Sequence, residues 1–452
     1  MKEIIRGEKW VLDLYPQDDN NSNYKLSEYT IIEKYDDGYL LLHTLSWSLF
    51  FLTEEEYKNI LYYDYFKKYK ILLNENIDET QLAKDIFLKR STIKTLPNYE
   101  KVKTFIIYTT NKCNAQCFYC YEKNRLKQIY MSSKTADDIA DFIIKKGYGK
   151  IHIQWFGGEP LLNTSVINQI CEKLTLNNIE FSSSMITNGL LLNEKIIHNM
   201  NTSWKFEYIQ VSIDGINETY NEIKNYKNKN IDAFKIVSNN IKNVLNLSDI
   251  KLYIRINVSK DNIENVKETI KYFHDNFMEY LKNERLVLYT SLLYEIYTTD
   301  LDTFNNLTSE IFSLTQTYPY LQKPSWYKIL SHTTLLMCMG DKGVTLSINP
   351  EGYFTICNHW NDDNIIGDIY NGITNYDVLK KWYEKDKENI NFCLENKCKY
   401  LPICVHHYKC EASPICSTIN EINIKIGHLR KSMIYTYNEY KKRINQMKNG
   451  EE

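Results

Sequence analysis

Three cysteines lie close together in the sequence, and their spacing suggests a metal site. Cys113, Cys117 and Cys120 follow one another in the order C-x3-C-x2-C. Four-iron clusters in proteins are normally held by four thiolates, so a set of three would leave one iron open to a small molecule. A structural zinc site is the alternative, although such sites prefer C-x2-C pairs and a complete set of four ligands.

A second set of cysteines lies further along the chain. The N-terminal residues lack the apolar run of an export signal, and clustered cysteines in a reduced compartment indicate metal binding or catalysis rather than disulfides. The set consists of Cys338, Cys357, Cys393, Cys398, Cys404, Cys410 and Cys416. Cys171 lies apart from both sets in a predicted helix, and we expect it to be an inert buried thiol.

Short glycine-rich and polar elements follow several predicted strands. They are Gly157-Gly158-Glu159-Pro160, Thr187-Asn188-Gly189, Ser212 with Asp214, and Arg255 with Asn257. Each element alone could be an ordinary turn. Because functional residues gather at the carboxyl ends of parallel barrel strands, their recurrence at the same end of successive strands indicates a common site.

The segments that must position these residues alternate between strand and helix. Strands are predicted over 103–108, 150–155, 181–186, 207–213, 251–258 and 285–292, and helices over 133–146, 161–174, 193–200, 232–245 and 262–276. Repeated strand–helix units imply parallel strands with right-handed crossovers. The predicted fold is therefore α/β, a partial (β/α)₆ barrel, with a doubly wound sheet as the alternative.

The regions on either side of this core differ from it in pattern. In residues 1–95, Asp36-Asp37-Gly38 predicts a hairpin turn, and Thr53 is expected to cap a helix that begins at Glu54. Residues 326–452 are cysteine-rich and show few regular patterns before a closing helix over 420–448, so their fold is expected to depend on metal. We predict three domains, over residues 1–95, 96–325 and 326–452.

Composition limits the classes of partner. The chain has 452 residues, and its formal net charge of −2 gives it no overall attraction for nucleic acid or anionic membranes. No apolar stretch approaches the length of a membrane span. We therefore expect a cytoplasmic protein without a nucleic-acid or membrane partner.

The first cysteine run, with Tyr119 before its last cysteine, resembles the signature of the radical SAM superfamily, and Gly157-Gly158-Glu159-Pro160 resembles the GGEP element of that family. The resemblance implies a [4Fe–4S] cluster on Cys113, Cys117 and Cys120 that binds S-adenosylmethionine (SAM). SAM would be cleaved by one electron, and the 5′-deoxyadenosyl radical would abstract a hydrogen atom. The implied cofactor contacts are Gly157, Gly158, Glu159, Pro160, Asn188, Ser212, Asp214, Lys224 and Arg255. Many relatives have arginine at position 224, and lysine lacks its bidentate fork.

The second cysteine set resembles the SPASM domain, which binds two auxiliary [4Fe–4S] clusters. The resemblance rests on two sequence elements, a G-x4-C run that ends at Cys357 and a C-x5-C run from Cys398 to Cys404. The family's order would place Cys338, Cys357 and Cys410 on the nearer cluster, and Cys393, Cys398, Cys404 and Cys416 on the farther one. His359, His406 and His407 are candidates for a fourth ligand of the nearer cluster. The spacing departs from the family between Cys393 and Cys398 and between Cys404 and Cys410, so single ligand assignments stay open. A zinc ribbon over 393–416 is the alternative.

SPASM relatives mostly modify peptides or proteins, and residues 1–95 look like the leader-recognition region of peptide maturases, where a leader adds as a strand to a sheet edge. The resemblance implies an enzyme of the ranthipeptide or sactipeptide type, which installs a thioether or carbon–carbon crosslink in a ribosomally made peptide. Its partners would be a precursor peptide with a leader and a flavodoxin- or ferredoxin-type reductant. The alternatives are a sulfatase-maturating enzyme that forms formylglycine and a non-enzymatic, zinc-stabilised peptide-binding scaffold. Residues 1–95 could also be a structural cap without a binding role.

Overall fold

The structure is a computed structural model, and it describes residues 1–16, 23–91, 99–122, 127–293, 300–324, 329–330, 340, 343–359, 362–384, 390–404 and 416–449. Cys338, Cys410, His406 and His407 lie outside the described residues. None of the described helices combines the length and the apolar character that crossing a membrane requires.

The N-terminal region, residues 1–91, contains its own antiparallel sheet. Its elements are β1 (Lys2–Ile5), α1 (Lys9–Leu12), β2 (Tyr24–Leu26), β3 (Thr30–Tyr35), β4 (Gly38–His43), β5 (Ser48–Thr53), α2 (Glu54–Lys58), α3 (Asp64–Lys68), β6 (Leu72–Asn74) and α4 (Glu79–Ser91). Four strands form a sheet in the order β1-β5-β4-β3, and β2 pairs with β6. The predicted hairpin is confirmed, since Tyr35 pairs with Gly38 and Asp36 takes a left-handed conformation in the turn.

The predicted cap at the start of α2 is also confirmed. The Thr53 hydroxyl accepts from the Glu56 backbone amide, and the Glu56 carboxylate accepts from the Thr53 amide. This reciprocal pair satisfies two amides that a helix start leaves without partners.

The middle of the chain builds a large parallel sheet. Its elements are β7 (Val102–Thr110), α5 (Ser133–Lys146), β8 (Gly147–Gly157), α6 (Thr164–Leu176), β9 (Phe181–Thr187), α7 (Glu194–Asn201), β10 (Phe206–Ser212), α8 (Asn217–Lys224), α9 (Ala233–Leu247), β11 (Lys251–Val258), α10 (Ile263–Asn276), α11 (Met278–Lys282), β12 (Leu286–Leu292), α12 (Leu301–Thr317) and β13 (Leu321–Gln322). Strands β7 to β12 lie side by side in chain order, and every neighbouring pair is parallel. Doubly wound sheets reverse their strand order. The predicted α/β fold is thus confirmed, and the strand order is that of an open partial barrel.

Most of these elements start and end close to the predicted positions. The helix over 133–146 and the strand over 251–258 have the predicted bounds. The helices predicted from 193 and 232 each begin one residue later, because Asn193 and Asp232 act as N-caps whose side chains accept backbone amides. The helix predicted from 161 begins at Thr164, because Pro160–Asn163 forms a separate 3₁₀ turn.

The C-terminal region extends the large sheet. Its elements are β14 (Thr345–Ile348), β15 (Tyr353–Thr355), β16 (Gly367–Asp368), β17 (Gly372–Ile373), α13 (Tyr376–Glu384), α14 (Asn391–Glu395) and α15 (Ile419–Asn449). Strand β14 lies parallel to β7, and β15, β16 and β17 follow it antiparallel at the sheet's end. The sheet therefore continues past residue 326, and the closing helix predicted over 420–448 is confirmed.

The N-terminal region shares its core with the C-terminal cysteine-rich residues. Val11 and Phe87 belong to the same buried cluster as Cys398 and Leu401. The Arg90 guanidinium, on α4, donates to the carbonyls of Pro402 and Leu45 at 3.0 Å each. The two regions thus bury apolar surface against each other, and removing one would expose the other.

Candidate functional site

The first cysteine motif lies on the loop that follows β7, at the carboxyl edge of the large sheet. The Cys113 sulfur accepts from the Ala115 amide at 3.4 Å. The Gln116 amide donates to the Lys224 carbonyl at 2.9 Å, and the Lys227 amide donates to the Asn114 carbonyl at 2.9 Å. These bonds fix the loop against the end of α8.

The three thiols of this loop differ in exposure. Cys113 and Cys117 are partly buried against the main core, whereas Cys120 is exposed. Burial raises the pKa of Cys113 to about 12, although the Ala115 amide opposes the rise. Iron binds the thiolate, so metal loading must release this proton. Three thiols on one fixed loop are a donor set that fits a four-iron cluster with one open iron.

The GGEP element brings the end of β8 into backbone contact with this loop. Gly157 has φ of +118°, and a Cβ there would lie 2.1 Å from the Thr110 carbonyl oxygen. A Cβ on Gly158 would lie 2.4 Å from the Lys112 carbonyl oxygen. The Gly158 amide instead donates to Thr110 and the Glu159 amide to Lys112, at 3.1 and 2.9 Å. Neither glycine can be replaced without moving the cysteine loop.

The Glu159 carboxylate is fully buried and is hydrogen-bonded inside the protein. It accepts from the Thr187 hydroxyl and the Asn188 amide, both at 2.8 Å, and from the Leu161 amide at 3.1 Å. Burial raises the pKa of Glu159 to about 6, although these hydrogen bonds oppose the rise. The resemblance implies a cofactor contact for this residue, whereas the described bonds of its carboxylate join β8 to the loop after β9. Pro160 begins the adjoining turn, and its carbonyl accepts from Thr109 at 3.0 Å.

Asn188 joins the loop after β9 to the cysteine loop. Its side-chain amide donates to the Asn114 oxygen at 2.6 Å and lies 3.9 Å from the Cys113 sulfur. The TNG, GGEP and cysteine elements, which are far apart in sequence, therefore meet at one edge of the sheet as the sequence predicts.

Lys224 forms a buried ion pair at the same edge. Its ammonium donates to an Asp214 oxygen at 2.9 Å and to the Tyr119 hydroxyl at 2.8 Å, and Lys224 and Asp214 are 2% and 1% exposed. Tyr119 also donates to Asp214, whose other oxygen accepts from the Asn257 amide at 2.9 Å. Burial alone would lower the pKa of Lys224, but Asp214 and Tyr119 outweigh it and raise the pKa.

This ion pair was not predicted. The resemblance implies that Lys224 contacts the cofactor carboxylate, whereas the structure shows its ammonium bound to Asp214 and Tyr119. The aromatic residue before the last cysteine is a visible signal for Tyr119, but sequence spacing does not reveal its partners. The ion pair connects three parts of the chain: α8, which carries Lys224, the segment after β10, which carries Asp214, and the cysteine loop, which carries Tyr119.

Arg255 and Ser212 lie opposite each other on β11 and β10. The Arg255 side chain donates to Asn257 at 2.9 Å. Burial raises the pKa values of Tyr121 and Tyr289, and the charge of the nearby Arg255 opposes the rise. A half-buried guanidinium beside aromatic rings can bind an anionic group.

Cys357, of the second cysteine set, lies near the first. Burial raises the pKa values of Tyr108 and Tyr121, and the nearby Cys357 adds to the rise in both. Tyr121 follows Cys120 directly, and its ring stacks on His359 with centroids 5.0 Å apart. Cys357, one of the three predicted cysteine ligands of the nearer cluster, therefore lies near the first cysteine loop, while Cys338 and Cys410 lie outside the described residues.

The other described cysteines of the second set form a separate buried group, here called the four-cysteine group: Cys393, Cys398, Cys404 and Cys416. The Cys393 and Cys398 thiols are hydrogen-bonded to each other. This hydrogen bond and burial raise the pKa of Cys398, and the nearby Cys404 raises it further. Burial raises the pKa of Cys416; Lys425 opposes the rise, and Cys404 adds to it. Among the described residues, no three cysteine, histidine, aspartate or glutamate side chains are arranged to bind one metal ion. Four neighbouring thiols suit a four-iron cluster, in which each thiolate binds a different iron.

Cys171 is buried inside α6, and burial raises the pKa of its thiol. A protonated, enclosed thiol is unreactive, which agrees with the prediction of an inert residue.

Comparison with known proteins gives one matching family model and several similar proteins. Residues 107–290 match the family model described as the radical SAM superfamily. An uncharacterized protein of Methanocaldococcus jannaschii is 32% identical over 176 residues, 38% of this chain and 58% of the relative. The radical SAM cyclopropyl synthase TigE of Paramaledivibacter caminithermalis is 25% identical over 312 residues, 58% of this chain and 62% of that protein. This chain thus spans less than two thirds of the length of these relatives.

Solved structures share the fold. The structure of native anSMEcpe with bound AdoMet and Cp18Cys peptide aligns with a TM-score of 0.56 at 18% identity, over 77% of this chain and 99% of that one. Native anSMEcpe with bound AdoMet alone aligns with a TM-score of 0.55 at 16% identity, over 76% of this chain and 100% of that one. At such identities the likeness concerns the mixed α/β fold with its large parallel sheet.

Proposed function

We propose that this chain, which carries a radical SAM domain over residues 107–290, cleaves SAM reductively and uses the radical to crosslink a ribosomally made peptide. One observation carries the proposal. The three-cysteine loop meets the GGEP and TNG loops at the carboxyl edge of the parallel sheet, where barrel enzymes place their active sites.

The chain's own residues would prepare the site. When bound, a [4Fe–4S] cluster with an open iron supplies the electron that splits SAM into methionine and a 5′-deoxyadenosyl radical. Cys113, Cys117 and Cys120 would hold it, and Gly157 and Gly158 keep backbone close to the loop without side chains in the way. The crosslink removes two hydrogen atoms from the peptide. The 5′-deoxyadenosyl radical takes one and becomes 5′-deoxyadenosine, and the other leaves as a proton to water and an electron that would return to the oxidised electron carrier. A flavodoxin- or ferredoxin-type protein is the proposed reductant.

We further propose that the C-terminal cysteines hold two auxiliary clusters. The separation of Cys357 from the four-cysteine group supports two sites rather than one. Anaerobically prepared protein should then contain about twelve irons per chain, from three four-iron clusters. Iron, sulfide and zinc analysis measures this. A well-folded, reconstituted chain with about four irons and stoichiometric zinc would rule out the auxiliary clusters.

The N-terminal region is proposed to bind the leader of the peptide by strand addition. One sheet edge is already covered, because Lys399 and Arg430 donate to the Thr30 and Ile32 carbonyls of β3 at 2.7 and 2.8 Å. At the opposite edge, the described sheet ends at β1. An extended peptide could pair with β1 through backbone hydrogen bonds.

Leader binding can be tested without altering the chain. We expect a leader peptide to slow amide hydrogen exchange in residues 2–5, because strand pairing protects backbone amides, and to leave residues 30–35 unchanged. Exchange is measured by mass spectrometry with and without the peptide, and a scrambled leader is the control. Protection confined to residues 30–35, or no protection in residues 1–91, would refute addition at β1.

The peptide product tests the function itself. Anaerobic co-expression with the small peptides encoded beside the gene should give a peptide lighter by two hydrogen atoms, with fragment ions missing between the bridged residues. A sulfatase-type reaction would instead leave an aldehyde that a hydrazide reagent labels. A hydrazide-reactive peptide without a bridge would replace the proposed reaction with formylglycine formation.

A further inference from the structure

Lys425 of α15 lies beside the four-cysteine group. Its ammonium is 3.9 Å from the Cys404 sulfur, and Cys416 is also within its hydrogen-bonding reach. The side chain is only partly exposed, so water and salt screen its charge weakly. A cation is thus fixed beside two of the four sulfurs.

The other charged and titratable groups that face this site are mostly engaged elsewhere. On α4, Glu79 accepts from the Ser27 hydroxyl at 2.6 Å and the Glu28 amide at 2.8 Å, and Arg90 pairs with Glu8 at 2.8 Å. Lys399, beside Cys398 in sequence, donates to the Thr30 carbonyl. Tyr29 lies close to Cys398, and burial raises its pKa, so it is neutral. Lys425 is therefore the cation that the described contacts place on the sulfurs.

We infer that Lys425 raises the reduction potential of the cluster held by the four-cysteine group. The inference rests on the proposed auxiliary cluster. One-electron reduction adds a negative charge to the cluster, and a nearby fixed positive charge stabilises the reduced form more than the oxidised form. Hydrogen bonds to cluster sulfurs act in the same direction. Lys425 is a tuning residue, which touches the cluster ligands and not the substrate.

The test is a potentiometric titration of the full-length, iron-loaded chain, followed by electron paramagnetic resonance. In Lys425→Met the midpoint of one auxiliary signal should move to more negative potential. We expect at least a tenfold fall in the reduced-to-oxidised ratio at the wild-type midpoint, which is ~59 mV for one electron. Lys425→Arg keeps the charge and should titrate like the wild type. Lys442→Met, an exposed lysine of the same helix, is the matched control and should also be unchanged.

The outcomes separate the inference from the proposal beneath it. If the wild-type protein shows no auxiliary signal and lacks the additional iron, the auxiliary cluster itself is wrong. If the signal is present and its midpoint is the same in Lys425→Met, the inference is overturned. If Lys425→Met and Lys425→Gln both fail to load iron while Lys425→Arg loads it, the residue serves cluster assembly, and the tuning role is likewise overturned.

Discussion

Replacing Cys113, Cys117 and Cys120 together with alanine should abolish SAM cleavage and leave the C-terminal iron in place. The three thiols share one loop, whose backbone is hydrogen-bonded to the end of α8 and to the GGEP element. Three cysteines of the four-cysteine group belong to a different buried cluster, together with residues of the N-terminal region and Ile422 of α15; they are Cys393, Cys398 and Cys416. The losses should therefore be independent: no 5′-deoxyadenosine forms, and about eight of twelve irons remain.

The measurement is chromatographic quantification of 5′-deoxyadenosine after reduction with dithionite, together with iron analysis of the same samples. Cys171→Ala is the matched control, because its thiol is buried inside α6 and belongs to neither cysteine set, and it should retain cleavage. Wild-type yields of 5′-deoxyadenosine from the triple variant would move the SAM site elsewhere. Loss of all iron would show that the clusters depend on one another.

Replacing Lys224 with methionine should destabilise the protein by about 3–5 kcal/mol, because it leaves the Asp214 carboxylate buried without its partner. Asp214 is 1% exposed, so water cannot compensate. The loss should also loosen the cysteine loop, since Tyr119 shares the ion pair. Urea unfolding measures the free energy, and iron content of the first cluster reports on the loop.

Two variants separate the ion pair from general effects of losing a lysine. Lys224→Met with Asp214→Asn should cost less than the two single changes added together, because no unpaired charge then remains buried. Lys271→Met removes an exposed lysine that pairs with Asp275 on α10 and should change stability little. Wild-type stability in Lys224→Met would contradict the buried ion pair and return Lys224 to a free cofactor contact.

The strand–helix core could be predicted from the sequence because its signals are local. The buried apolar residues of α5 and α9 recur at the spacing of helical turns. Ile139 and Ile143 on α5, and Val237 and Ile241 on α9, are four positions apart. The residues that cap those helices are also visible in the sequence. The motifs after each strand then meet because parallel strands end at one edge.

What the sequence does not reveal depends on partners that are distant along the chain. Strands β14 to β17 have two to four residues, too few to show a period. They are fixed by strand pairing, β14 with β7 and each later strand with the one before it. The bond from Arg90 to Pro402 joins residues 312 positions apart. In the same way, residue type identifies Glu159 and Lys224 as polar site candidates, but whether each faces a ligand or a buried partner is decided by tertiary packing.

The shared core also affects how the leader hypothesis can be tested. Deleting residues 1–95 would remove Val11 and Phe87 from the cluster that contains Cys398 and Leu401. Such a truncation would lose packing around the four-cysteine group as well as any leader site. Hydrogen exchange on the intact chain avoids that confusion.

The most direct test of the central claim is whether the reduced, iron-loaded chain converts SAM to 5′-deoxyadenosine and methionine. The site at the carboxyl edge of the sheet predicts that both products form in equal amounts under anaerobic conditions, and that neither forms without reductant. Protein with a full complement of iron that yields no 5′-deoxyadenosine, with or without peptide, would contradict the assignment of the three-cysteine loop as the SAM-cleaving site.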